Sequence, residues 1–247
     1  MRGLMRLAAG AAFAAAAALT AGAAPARAQQ GTAAEAQALV DRATLTVQEM
    51  LTEGDPNILR DARASLRRSR AVVVCPRVFR VGFILGGQGG SCVLVARDGA
   101  GSWSSPAFYG LGSGSIGLQA GMQDMQVVMF VLSGRGLDAV LDHQFKVGAD
   151  ASVSLATIGG GISGATTANA GADIVAYARA RGLFAGIALE GSRLAPGVEE
   201  NAAYYGRPVT SRQVVVDMAA HNPGADPLRA MLMQHSGAEA AAAAVAR

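Results

Sequence analysis

The chain has 247 residues, 51% of them hydrophobic, only 5% aromatic, with 32 glycines. Its formal charge is +3, but Arg2, Arg6 and Arg27 lie in the first 28 residues, which hold no acid. Taking those three arginines from 21 basic residues leaves 18 against 18 acidic ones, so composition supplies no field that would attract a nucleic acid.

The first segment reads as a targeting signal. Arg2 and Arg6 precede an alanine-rich apolar run from Leu7 to Leu19, and Ala26-Arg27-Ala28 is a small-x-small cleavage site. The run is too short to stay in a bilayer as a spanning helix. These features predict an exported protein, periplasmic or secreted, with a cleaved signal over 1–28. The rest is of a size for one domain. We expect an N-terminal helix in 29–56, the domain proper in 57–220, and a C-terminal helix with a low-complexity tail in 221–247.

Residues 32–53 read as an amphipathic helix with Thr32 and Glu35 as a capping box. Its apolar face carries Leu39, Val40, Ala43, Val47, Met50 and Leu51. Gly54-Asp55-Pro56-Asn57 breaks it, and a shorter helix is expected over Asn57–Arg68. The period then changes to two. Ala71–Cys75 reads as a strand ended by Pro76. Val81–Gly86 and Ser91–Arg97 flank Gly87-Gln88-Gly89-Gly90, a hairpin signal, and Asp98-Gly99 marks the next turn. Trp103–Tyr109, Ser113–Gly121 and the nearly continuous apolar run Met125–Leu132 follow as strands, then a short helix from Gly134 to about His143. Regular alternation over 145–155 predicts one long strand, wet on one side. A glycine-rich stretch, 159–171, precedes an expected hairpin of Asp173–Ala180 and Leu183–Glu190. Helices over about 199–204, 211–218 and 226–235 end the chain. The expected fold is α+β, a strongly curved, mostly antiparallel sheet or barrel of eight to nine strands with N- and C-terminal helices. Glycine permits the bends and close approaches that curvature needs.

Two cysteines, Cys75 and Cys92, could bond in an oxidising compartment. In a simple meander they would sit two strands apart, about 9–10 Å, too far for a bridge, which needs Cα atoms within roughly 7 Å. A disulfide therefore requires their strands to be neighbours. The alternative is two buried small hydrophobes.

Signals for catalysis are weak. Gly112–Gly117 and Gly159–Gly164 match the dinucleotide glycine pattern, but neither stands between a strand and a helix, where phosphate would meet a helix N-terminus. His143, His221 and His235 have no partners at metal-ligand spacing. The expected state is a protein with no catalytic residues, metal or cofactor. A hydrolase remains as the reading in which distant Ser, His and Asp converge in a cleft.

One charged feature stands out. Arg60, Arg63, Arg67, Arg68 and Arg70 cluster in and after the second helix, with Arg77 and Arg80 beyond, against Asp61 alone. Arg60, Arg63 and Arg67 share one helical stripe, and Ile58, Leu59, Ala62 and Leu66 form an apolar side. Such a helix can lie on an anionic membrane with its guanidinium forks on phosphates, or pack its apolar side on the sheet and leave the charges to solvent.

Seven segments, in order, resemble the SYLF domain family: Ala71-Val-Val-Val-Cys-Pro76; Val81-Gly-Phe-Ile-Leu-Gly-Gly-Gln-Gly-Gly90; Trp103-Ser-Ser-Pro-Ala-Phe108; Gly117-Leu-Gln-Ala-Gly121; Gly148-Ala-Asp-Ala-Ser152; Gly182-Leu-Phe-Ala-Gly-Ile-Ala-Leu-Glu-Gly191; and Asn201-Ala-Ala-Tyr-Tyr-Gly206. The resemblance covers about Arg60 to Val216. It implies a non-catalytic module without cofactor that binds phosphoinositide or other anionic lipid, and whose eukaryotic members also bind actin filaments. It places the lipid contact on the basic N-terminal side, here Arg60, Arg63, Arg67, Arg68 and Arg70. Export would put actin and cytoplasmic phosphoinositides out of reach. The expected partner is then an anionic envelope lipid or, alternatively, an envelope protein contacted through the glycine-rich loop.

Overall fold

A computed structural model describes residues 24–82, 85–116, 121–142, 145–158, 171–181 and 191–237. The expected signal peptide, His143, most of the glycine-rich stretch, the strand expected over Leu183–Glu190 and the alanine tail lie outside the described residues, apart from the start of the first helix.

That helix, α1, spans Ala24–Thr52. It begins eight residues before Thr32, so the expected capping box is not its start; alanine-rich sequence carries the helix further back. Its predicted apolar face is buried as a set, with Leu39, Val40, Ala43, Val47, Met50 and Leu51 all inside. The second helix, α2, spans Pro56–Arg68. Asp55 caps it by accepting from the Asn57 and Ile58 amides, and Pro56 occupies the first turn, where its missing N–H costs nothing.

Eight strands form one sheet: β1 Ala71–Gly82, β2 Leu85–Ala96, β3 Ala107–Ile116, β4 Gly121–Val131, β5 Phe145–Lys146, β6 Val153–Ile158, β7 Ile174–Arg181 and β8 Arg193–Pro196. Their order is β5-β8-β3-β2-β1-β4-β7-β6. Every pairing is antiparallel except β6 with β7. Between β4 and β5 lies α3, Gly134–Leu141, capped by Ser133. After β8 come α4 (Val198–Tyr205), α5 (Ser211–Val215), a single 3-10 turn (Pro223–Ala225) and α6 (Asp226–Ser236).

The sheet divides two buried clusters. On one face Leu66, Val72, Val74, Val93, Val95, Trp103, Phe108 and Phe130 pack under α1, α2 and α6. On the other, Val73, Cys75, Cys92, Leu94, Val127, Met129 and Ile174 pack with α3 and α5. Val147 and Ala151, from the segment joining the two sheet edges, belong to this second cluster. It is therefore the inside of the curl.

Several strand expectations need correction. Pro76 does not end β1; it sits in a bulge, where Val74 faces Val93 and Arg77 faces Ser91, so Cys75 and Pro76 together oppose Cys92. A bulge tolerates proline because the extra residue leaves the ladder. Gly87-Gln88-Gly89-Gly90 is not a hairpin loop but part of β2, paired on both sides to β1 and β3. Glycine is required there at Gly90, whose Cβ would lie 2.4 Å from the Arg77 carbonyl oxygen at the bulge. Trp103 makes only an isolated bridge to Arg97, and β3 runs unbroken through Gly110 and Gly112. Asp98-Gly99 does turn, with Ser102 N donating to the Asp98 carboxylate.

The alternating run 145–155 is not one strand. Gly148 has φ +86, and the Asp150 carboxylate accepts from Lys146 N. The chain turns there and delivers β5 and β6 to opposite edges of the sheet. Alternation survives the turn, which is why the sequence pattern hides it.

Cys75 and Cys92 form a disulfide, with Cα atoms 4.1 Å apart. Their strands are neighbours because the segment 76–82 continues β1 instead of forming a second strand of the meander.

Asp173 pins the closure. Its carboxylate accepts from Ser133 Oγ (2.6 Å), Ser152 N (3.1 Å), Ser152 Oγ (2.8 Å) and the Arg135 guanidinium. Ser133 Oγ in turn accepts from Gly136 N as the cap of α3. One side chain thereby ties the start of β7, the start of α3 and the entry to β6. These donors, Arg135 first, hold the carboxyl well below the usual carboxylate range.

Two outcomes test this account. Gly90→Ala should lower stability by about 1–3 kcal/mol in urea titrations, whereas Gly110→Ala, whose Cβ meets nothing within 4 Å, should change it little. Because the folded-state pKa of Asp173 is depressed, its stabilisation is complete above the unfolded carboxylate pKa of about 4 and is lost as pH falls through the folded value. Melting-temperature differences between wild type and Asp173→Asn should thus be constant from pH 7 to about pH 5 and shrink in acid.

Candidate functional site

The cationic segment emerges where α2 hands the chain to β1. Ser69 caps the end of the helix, its Oγ donating to the Leu66 carbonyl, and Arg70 N donates to the Val131 carbonyl. Ala62 and Leu66 are fully buried, and Ser65 Oγ lies 3.3 Å from Tyr177 Oη on β7. The C-terminal half of α2's apolar side is thus inside the fold, while Ile58 and Leu59 are half-buried, and burial raises the Tyr177 phenol pKa.

The five predicted arginines separate into distinct groups. Arg63 turns back onto α1, donating through Nε (2.8 Å) and Nη2 (2.6 Å) to the Leu51 carbonyl. It satisfies a helix C-terminus that would otherwise keep an orphan acceptor. It also stands near His235, whose pKa is pushed down by burial and then by the Arg63 charge. Arg60 is exposed and bonds Asn57 Oδ1 one turn away. Arg67, Arg68 and Arg70 are exposed and gather around one open groove of about 400 Å³. Among the described residues none of the five forms an ion pair with a carboxylate.

The groove has a fourth cation that sequence reasoning missed. Arg97, at the end of β2, donates from Nη1 to the Arg67 carbonyl (3.2 Å) and from Nε to the Gly101 carbonyl (3.3 Å). Its guanidinium lies 5.9 Å from the Trp103 ring centroid. Only the pairing of β1 with β2 brings residue 97 beside residues 67–70; the local signal was an arginine just before the Asp98 turn. Asp98, whose Oδ1 is taken by Ser102 N, is the one carboxylate lining the groove. Four guanidinium groups against one acid make an anion-attracting surface. With Ala62 and Leu66 buried beneath it, the contact this end of α2 offers is to headgroups or other exposed anions. Arg77, one of the two flanking arginines, is instead paired with Asp124 at 2.7 Å.

The convergence expected of a hydrolase can also be judged. Ser105, His221 and Asp226 do come together: Ser105 Oγ is 3.3 Å from His221 Nδ1. Yet Asp226 bonds Arg229 at 2.7 Å and lies 3.9 Å from His221 Nε2, beyond hydrogen-bond reach. Ser105 is buried and also accepts from Asn222 N. The cluster fastens the 221–226 turn to the core beside β3. Gly112 and Gly114 of the first dinucleotide-like pattern lie within a strand with no helix after them in the described residues, so they make no phosphate cradle. The second pattern, Gly159–Gly164, lies outside the described residues. No group of three or more potential metal ligands occurs among the described residues.

A family profile described as Ysc84, Las17-binding protein actin regulator, matches residues 112–235. "LAS seventeen-binding protein 3" of Saccharomyces cerevisiae is 31% identical over 169 residues, covering 66% of this chain and 36% of its own length. "Protein YSC84" of the same species is 31% identical over 173 residues, 68% and 36% of the two chains. "SH3 domain-containing YSC84-like protein 1" of Homo sapiens is 30% identical over 129 residues, 52% and 38%. The chain thus spans little more than a third of these relatives, one of which is named for binding and one for a domain. The profile match over half of the chain, on an α+β fold with a strongly curved sheet, shows that this protein belongs to the Ysc84 family, the family of the SYLF domain.

Proposed function

We propose that this protein binds anionic lipid at a membrane surface through Arg67, Arg68, Arg70 and Arg97, with Arg60 at the margin, and that it works by binding without chemistry. The supporting observation is the groove at the α2–β1 junction: four guanidinium groups, none paired with a carboxylate among the described residues. Guanidinium forks suit phosphate oxygens, and each cation near an anionic leaflet contributes about 1 kcal/mol. Arg63 is a structural residue in this reading. The pattern of Arg2, Arg6, Leu7–Leu19 and Ala26–Ala28 supports export, which would make an envelope leaflet the target.

A second reading is a protein-binding module, favoured by relatives named for binding Las17. The two separate in a flotation assay with vesicles of phosphatidylcholine alone or mixed with phosphatidylglycerol. Lipid recognition predicts binding to the mixed vesicles only, weakened by salt. The double variant Arg67→Glu, Arg70→Glu should reduce it more than tenfold without altering the melting temperature. Arg63→Ala should lower stability by about 1 kcal/mol and leave vesicle binding as it was. Absence of anion-dependent binding by the wild type would leave the protein-binding reading.

A further inference from the structure

A second concavity lies away from the arginine groove, between α4, β8 and α5. It is a cleft of about 660 Å³, within the range that holds a small ligand. Leu141, Pro196, Val198 and Val209 supply apolar wall, and Val198 is 68% exposed. An exposed valine at the mouth of an apolar cleft leaves greasy surface facing water.

Three polar side chains of the cleft are engaged elsewhere, the Asp142 carboxylate is exposed to solvent, and one buried hydroxyl is left without a partner. Asn201 Oδ1 accepts from Phe108 N, Thr210 Oγ1 caps α5 by accepting from Gln213 N, and Arg212 pairs with Asp138 at 3.1 Å. Ser211 is 6% exposed, lines the cleft, and its Oγ has no hydrogen-bond partner. Beside it is the phenol of Tyr109, also buried and without a partner. Burial pushes that phenol up to about 12, and Ser211 tempers the shift, although no hydrogen bond of normal geometry joins the two hydroxyls. Tyr109 is therefore a protonated donor at any ordinary pH. Even if the two hydroxyls bonded each other they would use one of their two protons, so one donor is left over. A buried donor without a partner has lost its hydration without replacement, and an acceptor oxygen entering the cleft would restore the missing hydrogen bond.

We infer that this cleft binds a single acyl chain bearing a carbonyl oxygen, with the chain along Leu141, Pro196, Val198 and Val209 and the carbonyl accepting from Ser211. A peptide fits less well, because its repeating amides need partners that one hydroxyl cannot supply. A neutral head is preferred to a carboxylate, since Arg212 is already neutralised by Asp138 and Asp142 also lines the cleft.

Native mass spectrometry of the purified chain, titrated with methyl dodecanoate, dodecanoic acid or dodecane below any aggregating concentration, tests this. The expected result is a saturable one-to-one complex with the ester, weaker binding of the acid at neutral pH, and little of the alkane. Ser211→Ala should weaken ester binding about five- to tenfold. Val198→Glu, at an exposed position that folding does not need, should weaken it more than tenfold, and serves alone if Ser211→Ala lowers the melting temperature. No saturable complex with the ester, equal binding of the alkane, or a Val198→Glu variant that binds like wild type would overturn the inference.

Discussion

Eight strands laid flat would place the outermost two about 34 Å apart. In this protein those two strands, β5 and β6, are joined by residues 147–152 alone, a span that cannot exceed about 25 Å even fully extended. Part of it is a turn, with Val147 bridged to Ala151. The sheet has no choice but to roll until its edges approach. Val147 N then reaches the Ser192 carbonyl on the β8 side, and Ile174 N reaches the Ser152 carbonyl on the β7 side. The Asp173 carboxylate holds the junction with three donor side chains. The rest of the architecture follows from this short tether, because the roll decides which side chains face inward together.

Rolling a sheet this tightly requires small residues where strands crowd, and the glycines of β2 and β3 meet that need in register: Gly87 opposite Gly114 and Gly89 opposite Gly112. The Pro76 bulge adds bend to β1 and brings its backbone against Gly90. The disulfide of Cys75 and Cys92 clasps β1 to β2 at that irregular point, where ladder hydrogen bonds are locally interrupted. Large side chains are kept for the faces covered by helices, such as Trp103 and Phe108 on one and Phe145 on the other.

The helices are divided between packing and contact with the outside. α1 gives its apolar face to the sheet and α2 buries Ala62 and Leu66 against α1 and α6, so the arginines at the end of α2 meet solvent as a headgroup-scale cationic surface. The acyl cleft lies among α4, α5 and β8, elements distinct from the α2–β1 junction. The two sites use different physics, charge in one and apolar walls with a single spare donor in the other, so each can fail without the other.

The family was legible from short segments read in order, and so were the helix faces, because a 3.6-residue period survives without knowledge of partners. α1's buried set was visible for that reason, and the strand over Met125–Leu132 was visible from its nearly continuous apolar run. The cation cluster was visible too, since Arg60, Arg63, Arg67, Arg68 and Arg70 are near in sequence. Its sorting was not: whether a guanidinium turns to solvent or to the Leu51 carbonyl depends on where α1 ends in space. Arg97 joined the groove and Cys92 met Cys75 through the register of β1 on β2, and the alternating run 145–155 split across two edges through pairings with β8 and β7. Local periodicity reports which face a residue prefers. Only the strand order and the length of the tether decide which residues share that face, and those are properties of the whole chain folded at once.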